Sequence, residues 1–470
     1  MKYKLDWNKL LCGERERDSE KSFTEHRNEF DKDYDRIVYS SSIRRLQDKA
    51  QVFPLQENDF TRTRLTHSIE AAALARSLGA AIGDWLRRNG EFEEKQEREL
   101  ASLLQVAALI HDLGNPPFGH YGEDVIRKWF VEWFKSNEYK NIEKKLRLSE
   151  NEEKDFINFE GNAQTLRIVT KLQMLNDQFG VNFTYATLAT IMKYPWLSSF
   201  ENSIKKNKFG YFNAEKKVVE KIYKCTGLED EVRHPATFLL EAADDIAYLC
   251  ADIEDSVKKG IINWEKEYTK IKYKLMNENK DYSNMFKKLD ELNEKNIKND
   301  IPEYELVSIQ NFKVRAQGLM IKYAIESFKE NYALIMNGDY KCNSLLDNEN
   351  IKGLIDELKR IQKHCFVDKE VLTLELVGDK VISGLLDMFV NELVKCKDEP
   401  NSKKKSGKLY RLISDNFKYV CLFDYENNRK REFNELRVYD KILLITDFIS
   451  GMTDSYAVKL YKELTGVKLP

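Results

Sequence analysis

Two of the chain's six histidines lie in the stretch "AALIHDLGNPPFGHYGE" (107–123): His111 directly before Asp112, and His120 three residues before Glu123. Imidazole and carboxylate groups together suit a divalent ion with mixed nitrogen and oxygen coordination. A histidine paired with an acid is also a common device for moving protons. Metal binding and proton transfer are the two kinds of chemistry open to such side chains. His111 and Asp112 are adjacent at a helix end, so their side chains diverge by roughly 100°. Both reach one ion only if it lies between them, and such an ion needs further ligands. "RTRLTHS" (62–68) offers His67, with Arg62 and Arg64 just before it, and guanidinium groups beside a metal suit phosphate. "EAADDIAYLCAD" (241–252) offers Asp244, Tyr248 and Asp252 at i, i+4 and i+8, on one helix face. The rest of that helix is mostly Leu, Ile, Ala and Cys, where a carboxylate is costly to bury unless it is paired or metal-bound. Each signal alone has a plain alternative: His67 as a satisfied core histidine, the HD dipeptide as chance, the acids as a solvated face. The order His, His-Asp, Asp outweighs them.

These side chains need helices to position them. In "THSIEAAALARSLGAAIGDWLRR" (66–88), Ala71, Leu74, Ala75, Leu78, Ile82 and Trp85 form an apolar face, and His67 lies one turn ahead on the same side. "RELASLLQVAALIHD" (98–112) reads as a more buried helix, stopped by Gly114, Pro116, Pro117 and Gly119. Residues 184–196 and 234–260 read as two further helices, the first ending before Pro195. Residues 273–305, rich in lysine and asparagine, read as a solvated helical hairpin or loop. Residues 396–408 read as a flexible surface loop and 418–425 as at best one short strand.

Composition agrees with a helical protein. Only 8 prolines and 20 glycines in 470 residues argue for long helices and against a sandwich or barrel. The fold class expected is all-α, a helical bundle carrying a metal between its helices. Its expected division is a catalytic core at 1–264, N-terminal arm included, and an additional C-terminal helical region at 265–470 packed on it. A net charge of −2 and a pI of about 6.4 point to no nucleic-acid or membrane partner through global electrostatics, although a local basic face stays open. The seven cysteines are scattered without a CxxC pair, which reads as reduced cytoplasmic thiols and not a disulfide framework. "MKYKLDWNKLLCGERERD" is too charged for a signal peptide, and no run approaches the roughly 18 apolar residues of a membrane span.

The order H…HD…D resembles the HD phosphohydrolase superfamily. The longer strings "RRLQDKAQVFPL", "RTRLTHSIE", "HDLGNPPFGHYGE", "FEGNAQTLR", "RHPATFLLEAADDIAY" and "DFISGMTD" are similar to the bacterial deoxyguanosinetriphosphate triphosphohydrolases. The resemblance covers 25–260 and returns at 447–454; between 265 and 435 the chain is read from composition alone. It implies an HD-domain bundle and one divalent ion held by His67, His111, Asp112 and Asp244. Two histidines and two carboxylates suit Mn²⁺ or Mg²⁺, with Fe²⁺, Co²⁺ or Ni²⁺ also compatible.

The implied reaction is dGTP plus water giving deoxyguanosine and inorganic triphosphate. His120 and Glu123 resemble the family's catalytic pair, with His120 either giving a proton to the 5′ oxygen or aligning the attacking water. Tyr248 and Asp252 resemble positions lining the deoxyribose, the ring against C2′ and the carboxylate on the 3′ hydroxyl. Arg64 and Lys193 are the implied triphosphate contacts, with Tyr194 and Asn162 behind them, and Gln51 resembles a position that reads the base edge. Arg437 is a weaker candidate, and His26, His234 and His364 are assigned no chemistry. Competing readings keep the metal site but take any dNTP, or a deoxynucleoside monophosphate, as substrate. A further reading is a regulatory protein of the same fold that binds single-stranded DNA, with Lys403, Lys404 and Lys405 as phosphate contacts. The resemblance also implies a homo-oligomer, a hexamer being the form expected.

Overall fold

The structure is a computed structural model that describes residues 3–17, 26–55, 60–175, 177–200, 207–340 and 344–467. Among the described residues the only strands are Phe423–Asp424 and Arg429–Lys430, paired antiparallel, and everything else that is regular is helical. The all-α expectation is met. No helix among those residues is long and apolar enough to cross a membrane.

Helices α1 (Arg64–Arg88) and α2 (Glu94–Ile110) form a hairpin and pack along most of their length. α1 begins where Thr63 and Thr66 make a reciprocal capping box, and it buries Ala71, Ala75, Leu78, Ile82 and Leu86 completely. α2 buries every residue from Val106 to Ile110, so His111 follows it on a rigid, dry stem. α3 (Gly119–Lys135) starts after the Gly/Pro turn, and α4 (Gly161–Arg167) and α5 (Tyr185–Ile191) follow. α6 (Pro235–Lys258) is the central helix: α1 and α2 pack on it, and so do α7 (Tyr304–Glu330) and α8 (Glu349–Phe366) from the second half. Contact on several sides explains why it is buried nearly all round, several of its acids included. His234 caps α6 by accepting from Ala236 N, and its Nε2 lies 3.0 Å from the Leu10 carbonyl, which gives it a structural part.

Helix α9 (Lys369–Leu393) packs on α3 and on α10 (Val438–Ser450), and α11 (Asp454–Leu464) closes the bundle. This arrangement explains "DFISGMTD". Asp447, buried on α10, accepts a bidentate pair from Arg167 and a bond from Gln164 at 3.0 Å, both on α4. Asp454 accepts from Ala50 N and Phe118 N, so it ties the Gly/Pro turn to the segment before α1. Buried Lys49, pushed down to about 7 by desolvation, donates to the carbonyls of Asn115 and Ser450. Removing Asp447 leaves the buried Arg167 only Glu215, which Lys171 already shares, so the cluster keeps an excess positive charge. Asp447→Ala is therefore expected to cost about 3–5 kcal/mol. Urea unfolding monitored by circular dichroism checks this; a loss below about 1 kcal/mol, the worth of an exposed pair, would contradict it.

Several sequence expectations need correction. Cys12 and Cys225 are bonded to each other, their Cα atoms 6.4 Å apart; Cys250, Cys365, Cys396 and Cys421 are free thiols, and Cys342 lies outside the described residues. The reading of all seven as thiols fails because the N-terminal arm folds back: Ala186 N donates to Cys12 O and Tyr185 N to Glu14 O. Such a pairing leaves no spacing signal. Residues 415–422 are helical and only Phe423–Asp424 extend, so 418–425 is not a strand. The expected loop at 396–408 ends early, because Lys405–Leu412 is a helix that buries Leu409 and Tyr410. In the lysine-rich middle segment, Lys280–Lys298 is a helix that buries Tyr282, Met285, Phe286 and Leu289 against α7, so it is packed on one face and not merely solvated. α5 ends at Ile191, before Lys193 and Tyr194.

Candidate active site

His67 comes from the first turn of α1, His111 from the end of α2 and Asp244 from the middle of α6, the three helices that pack most closely around one another. His67 Nε2 lies 3.0 Å from Asp244 Oδ1, and His111 Nε2 lies 3.3 Å from the same oxygen. The ligand atoms of the three residues all fall within 4.8 Å of one another. His111 Nδ1 is 2.7 Å from the Ala108 carbonyl, which fixes that nitrogen as a donor and turns Nε2 into the site. There Nε2 is buried and makes no hydrogen bond. Burial opposes charge on His111, but the carboxylates of Asp112 and Asp244 outweigh it and push the imidazole up to about 9. Two histidines converging on shared carboxylate oxygen, with His111 Nε2 buried and unsatisfied there, fit a divalent ion.

Asp112, the fourth expected ligand, stands beside this group, its Oδ1 3.5 Å from His111 Nε2. Both its oxygens are also engaged: Asn115 Nδ2 donates to Oδ1 at 2.8 Å and Arg64 Nη1 to Oδ2 at 2.5 Å. Although burial opposes it, His111 and Arg64 hold this carboxyl well below the usual carboxylate range. Arg64 is buried, and its guanidinium runs on to the start of α3: a Cβ on Gly119 would sit 2.6 Å from Nη2. Gly119 has φ +59°, so the absence of a side chain serves both the backbone turn and the passage of Arg64.

The second group is built on α3. Glu123 is buried and fully engaged: Oε1 accepts from Gly161 N at 2.9 Å, and Oε2 from Arg127 at 3.1 Å and from His120 Nδ1 at 3.3 Å. Gly161 has no room for a side chain, since a Cβ there would lie 2.7 Å from Glu123 Oε1. Burial raises the Glu123 carboxyl, but the bond from His120, with Lys208 and Arg127 nearby, brings it down to about 2. The same bond raises His120 above its ordinary value. The His120 side chain is 77% exposed although its partner is buried, so Nε2 is left for a ligand.

The remaining candidates divide. Tyr248 and Asp252 follow Asp244 along α6, and Asp252 is close enough to feel the charge of His67. Lys193 lies 3.3 Å from Glu241, one turn before Asp244, and Arg233 shares that carboxylate. Lys193 and Arg233 both approach the Tyr194 ring, at 5.9 Å each. Asn162 donates to Glu160 at 2.5 Å. Gln51 Oε1 is buried without a hydrogen bond, one residue from the bridge that pairs Ala50 with Thr63 before α1.

Arg62 is not free to contact a phosphate. It is enclosed by Glu70, Glu254 and Asp255, and its charge is spent on them. Arg437 pairs with Glu152 at 2.8 Å and lines a separate cavity of about 730 Å³ that none of the metal or catalytic candidates reaches. His26 and His364 are exposed. Sequence reading missed Lys208, which reaches Glu160 at 2.7 Å and Glu123 at 3.8 Å from a distant segment with no motif. It also missed Arg127, for which the i+4 spacing from Glu123 was a usable signal.

Comparison with known proteins gives a consistent picture. Residues 64–167 match the HD domain family. A deoxyguanosinetriphosphate triphosphohydrolase-like protein of Listeria monocytogenes is 39% identical over 98% of this chain and 100% of its own length. A protein of the same description from Synechocystis is 32% identical over 99% of this chain and 100% of its own. A protein described as deoxyguanosinetriphosphate triphosphohydrolase from Salmonella paratyphi A is 32% identical, with 98% of each chain covered.

Proposed function

Since the chain belongs to the HD-domain family of deoxyguanosinetriphosphate triphosphohydrolases and their like proteins, we propose that it hydrolyses dGTP to deoxyguanosine and inorganic triphosphate at the His67–His111–Asp244 centre. The observation that carries this reading is the convergence of those three side chains, from three helices, beside an independently built His120–Glu123 pair. His67, His111, Asp112 and Asp244 would hold a divalent ion, Mn²⁺ or Mg²⁺ in the first instance. Such an ion supplies Lewis acidity to the α-phosphate and renders water more acidic.

The chain's own residues do the rest. Glu123, pinned by Gly161 N and Arg127, holds Nδ1 of His120 and favours the imidazolium. His120 Nε2 then gives its proton to the departing 5′ oxygen, a poor leaving group without one. Arg64, anchored on Asp112, supplies positive charge at the phosphates together with Lys193, while Tyr194 and Asn162 border them. Asp252 accepts from the 3′ hydroxyl, and the Tyr248 ring occupies the space a 2′ hydroxyl would need. Gln51, with an unsatisfied buried oxygen, takes the base edge.

The test is nucleoside release from dATP, dCTP, dGTP, dTTP and GTP, each with Mn²⁺ or Mg²⁺. dGTP is expected to turn over fastest and GTP very slowly; equal rates for the four deoxynucleotides would make this a general dNTP triphosphohydrolase. Tyr248→Ala is expected to raise the GTP to dGTP ratio of kcat/KM by about 10- to 100-fold, the range a hydrophobic pocket commands over one hydroxyl. An unchanged ratio would move sugar selection to another residue.

A further inference from the structure

Besides Glu241 and Asp244, α6 carries four acids, Asp245, Asp252, Glu254 and Asp255, and they are treated differently. Glu254 is neutralised by Arg62, Lys258 and Lys313, and Asp255 by Arg62. Asp245 accepts from Ser344 at 3.2 Å. Asp252 has no cation in ion-pair range among the described residues. The one hydrogen bond to its side chain there comes from Gln362 on α8, Nε2 to Oδ2 at 2.6 Å. Both partners are nearly sealed, Asp252 at 4% and Gln362 at 5% exposure. Around Gln362, the side chains of Leu358, Ile361 and Cys365 are buried, so a polar amide at this place on α8 has no packing reason to be there. A buried carboxylate left without a cation is costly unless it serves something. An amide donor orients such a carboxylate without cancelling its charge, whereas an arginine or lysine would consume the charge that a hydroxyl donor needs.

We propose that Gln362 is the positioning residue for Asp252, holding Oδ2 so that Oδ1 accepts the substrate's 3′ hydroxyl. This rests on the dNTP reading above. It also gives α8, in the stretch between 265 and 435 read without recognisable motifs, a part in substrate selection.

The experiment compares kcat and KM for dGTP and for 2′,3′-dideoxy-GTP, which lacks the hydroxyl concerned, in the Mg²⁺-loaded wild type, Gln362→Leu and Gln362→Met. Wild type is expected to prefer dGTP. In both variants KM for dGTP should rise about 10- to 100-fold, the range for losing a hydrogen bond to a charged group, with kcat little changed. The dideoxynucleotide should be handled within about twofold of wild type, so the preference collapses. Adding Asp252→Ala to Gln362→Leu should cost nothing more, because the two act as one unit. Equal losses for both nucleotides would mean Gln362 is merely structural, and no loss for either would overturn the proposal.

A wild type that turns over neither nucleotide would sink the dNTP reading, and with it the role given to Oδ1. Carbon-13 NMR of the Asp252 carboxyl then still tests the pairing itself. Burial places that group at about 7 against the pull of Gln362, so Gln362→Leu must move its titration upward. An unmoved titration would overturn the pairing whatever the substrate.

Discussion

Asp244→Asn is expected to lose turnover by on the order of 10³-fold or more, together with the bound metal. Several kcal/mol of transition-state stabilisation come from a Lewis acid at the reacting phosphate, and each 1.4 kcal/mol is a factor of ten. Asp244 is the residue at which the site converges, since its Oδ1 is within 3.3 Å of both His67 and His111. Asparagine keeps the volume and one carbonyl oxygen but removes the negative charge that would draw a cation to the two histidines. The effect on the fold should be small by comparison, because the helices around the site are held by the wholly buried Ala71, Ala75, Ala107 and Ile110. Metal content by plasma mass spectrometry, steady-state kinetics and a thermal melt separate these effects. A variant that keeps stoichiometric metal and a tenth of the activity would place the centre elsewhere.

His120→Ala is the second large effect and has the opposite signature. Turnover should fall about 10²- to 10⁴-fold, the range for a lost general acid, with metal content and KM almost unchanged. The pH dependence carries the sign. His120 is raised above 6.5 by Glu123, so its acidic form persists past the ordinary histidine range and the rate falls only as pH climbs through the raised value. Glu123→Gln removes the charge and should move that limb to lower pH. Were His120 instead to align water as a neutral base, the rate would fall as pH drops, and Glu123→Gln would extend activity downward. The pH–rate profiles of the two proteins therefore decide between proton donor and water alignment.

The His67–His111–Asp244 group was legible in the sequence from local patterns. His67 sits on the apolar stripe of α1, His111 ends a continuous buried run, and Asp244 interrupts an apolar helix. Each broke a pattern that periodicity alone would have filled with Leu or Ala. The His120–Glu123 pair could be read from its spacing for the same reason. Arg62 was misread because nothing local shows that Glu254 and Asp255, far along the chain, close around it. Gln362, Lys208 and the Cys12–Cys225 bond escaped for one shared cause: each meets its partner only after the helices pack, and no periodicity records a partner. The C-terminal motif was visible as a string, yet its purpose was not. Asp447 accepts from Arg167 on α4, and Asp454 from Phe118 N in the Gly/Pro turn before α3, which carries His120 and Glu123.

The central claim is that water attacks the α-phosphorus and expels the nucleoside with the triphosphate left whole. Phosphorus NMR of dGTP turned over with Mg²⁺ in ¹⁸O-enriched water tests it most directly. The expected product is inorganic triphosphate carrying one ¹⁸O on a terminal phosphorus, beside unlabelled deoxyguanosine. Pyrophosphate with dGMP, or orthophosphate with dGDP, would contradict the bond assignment, and label in the 5′ hydroxyl of deoxyguanosine would contradict attack at phosphorus.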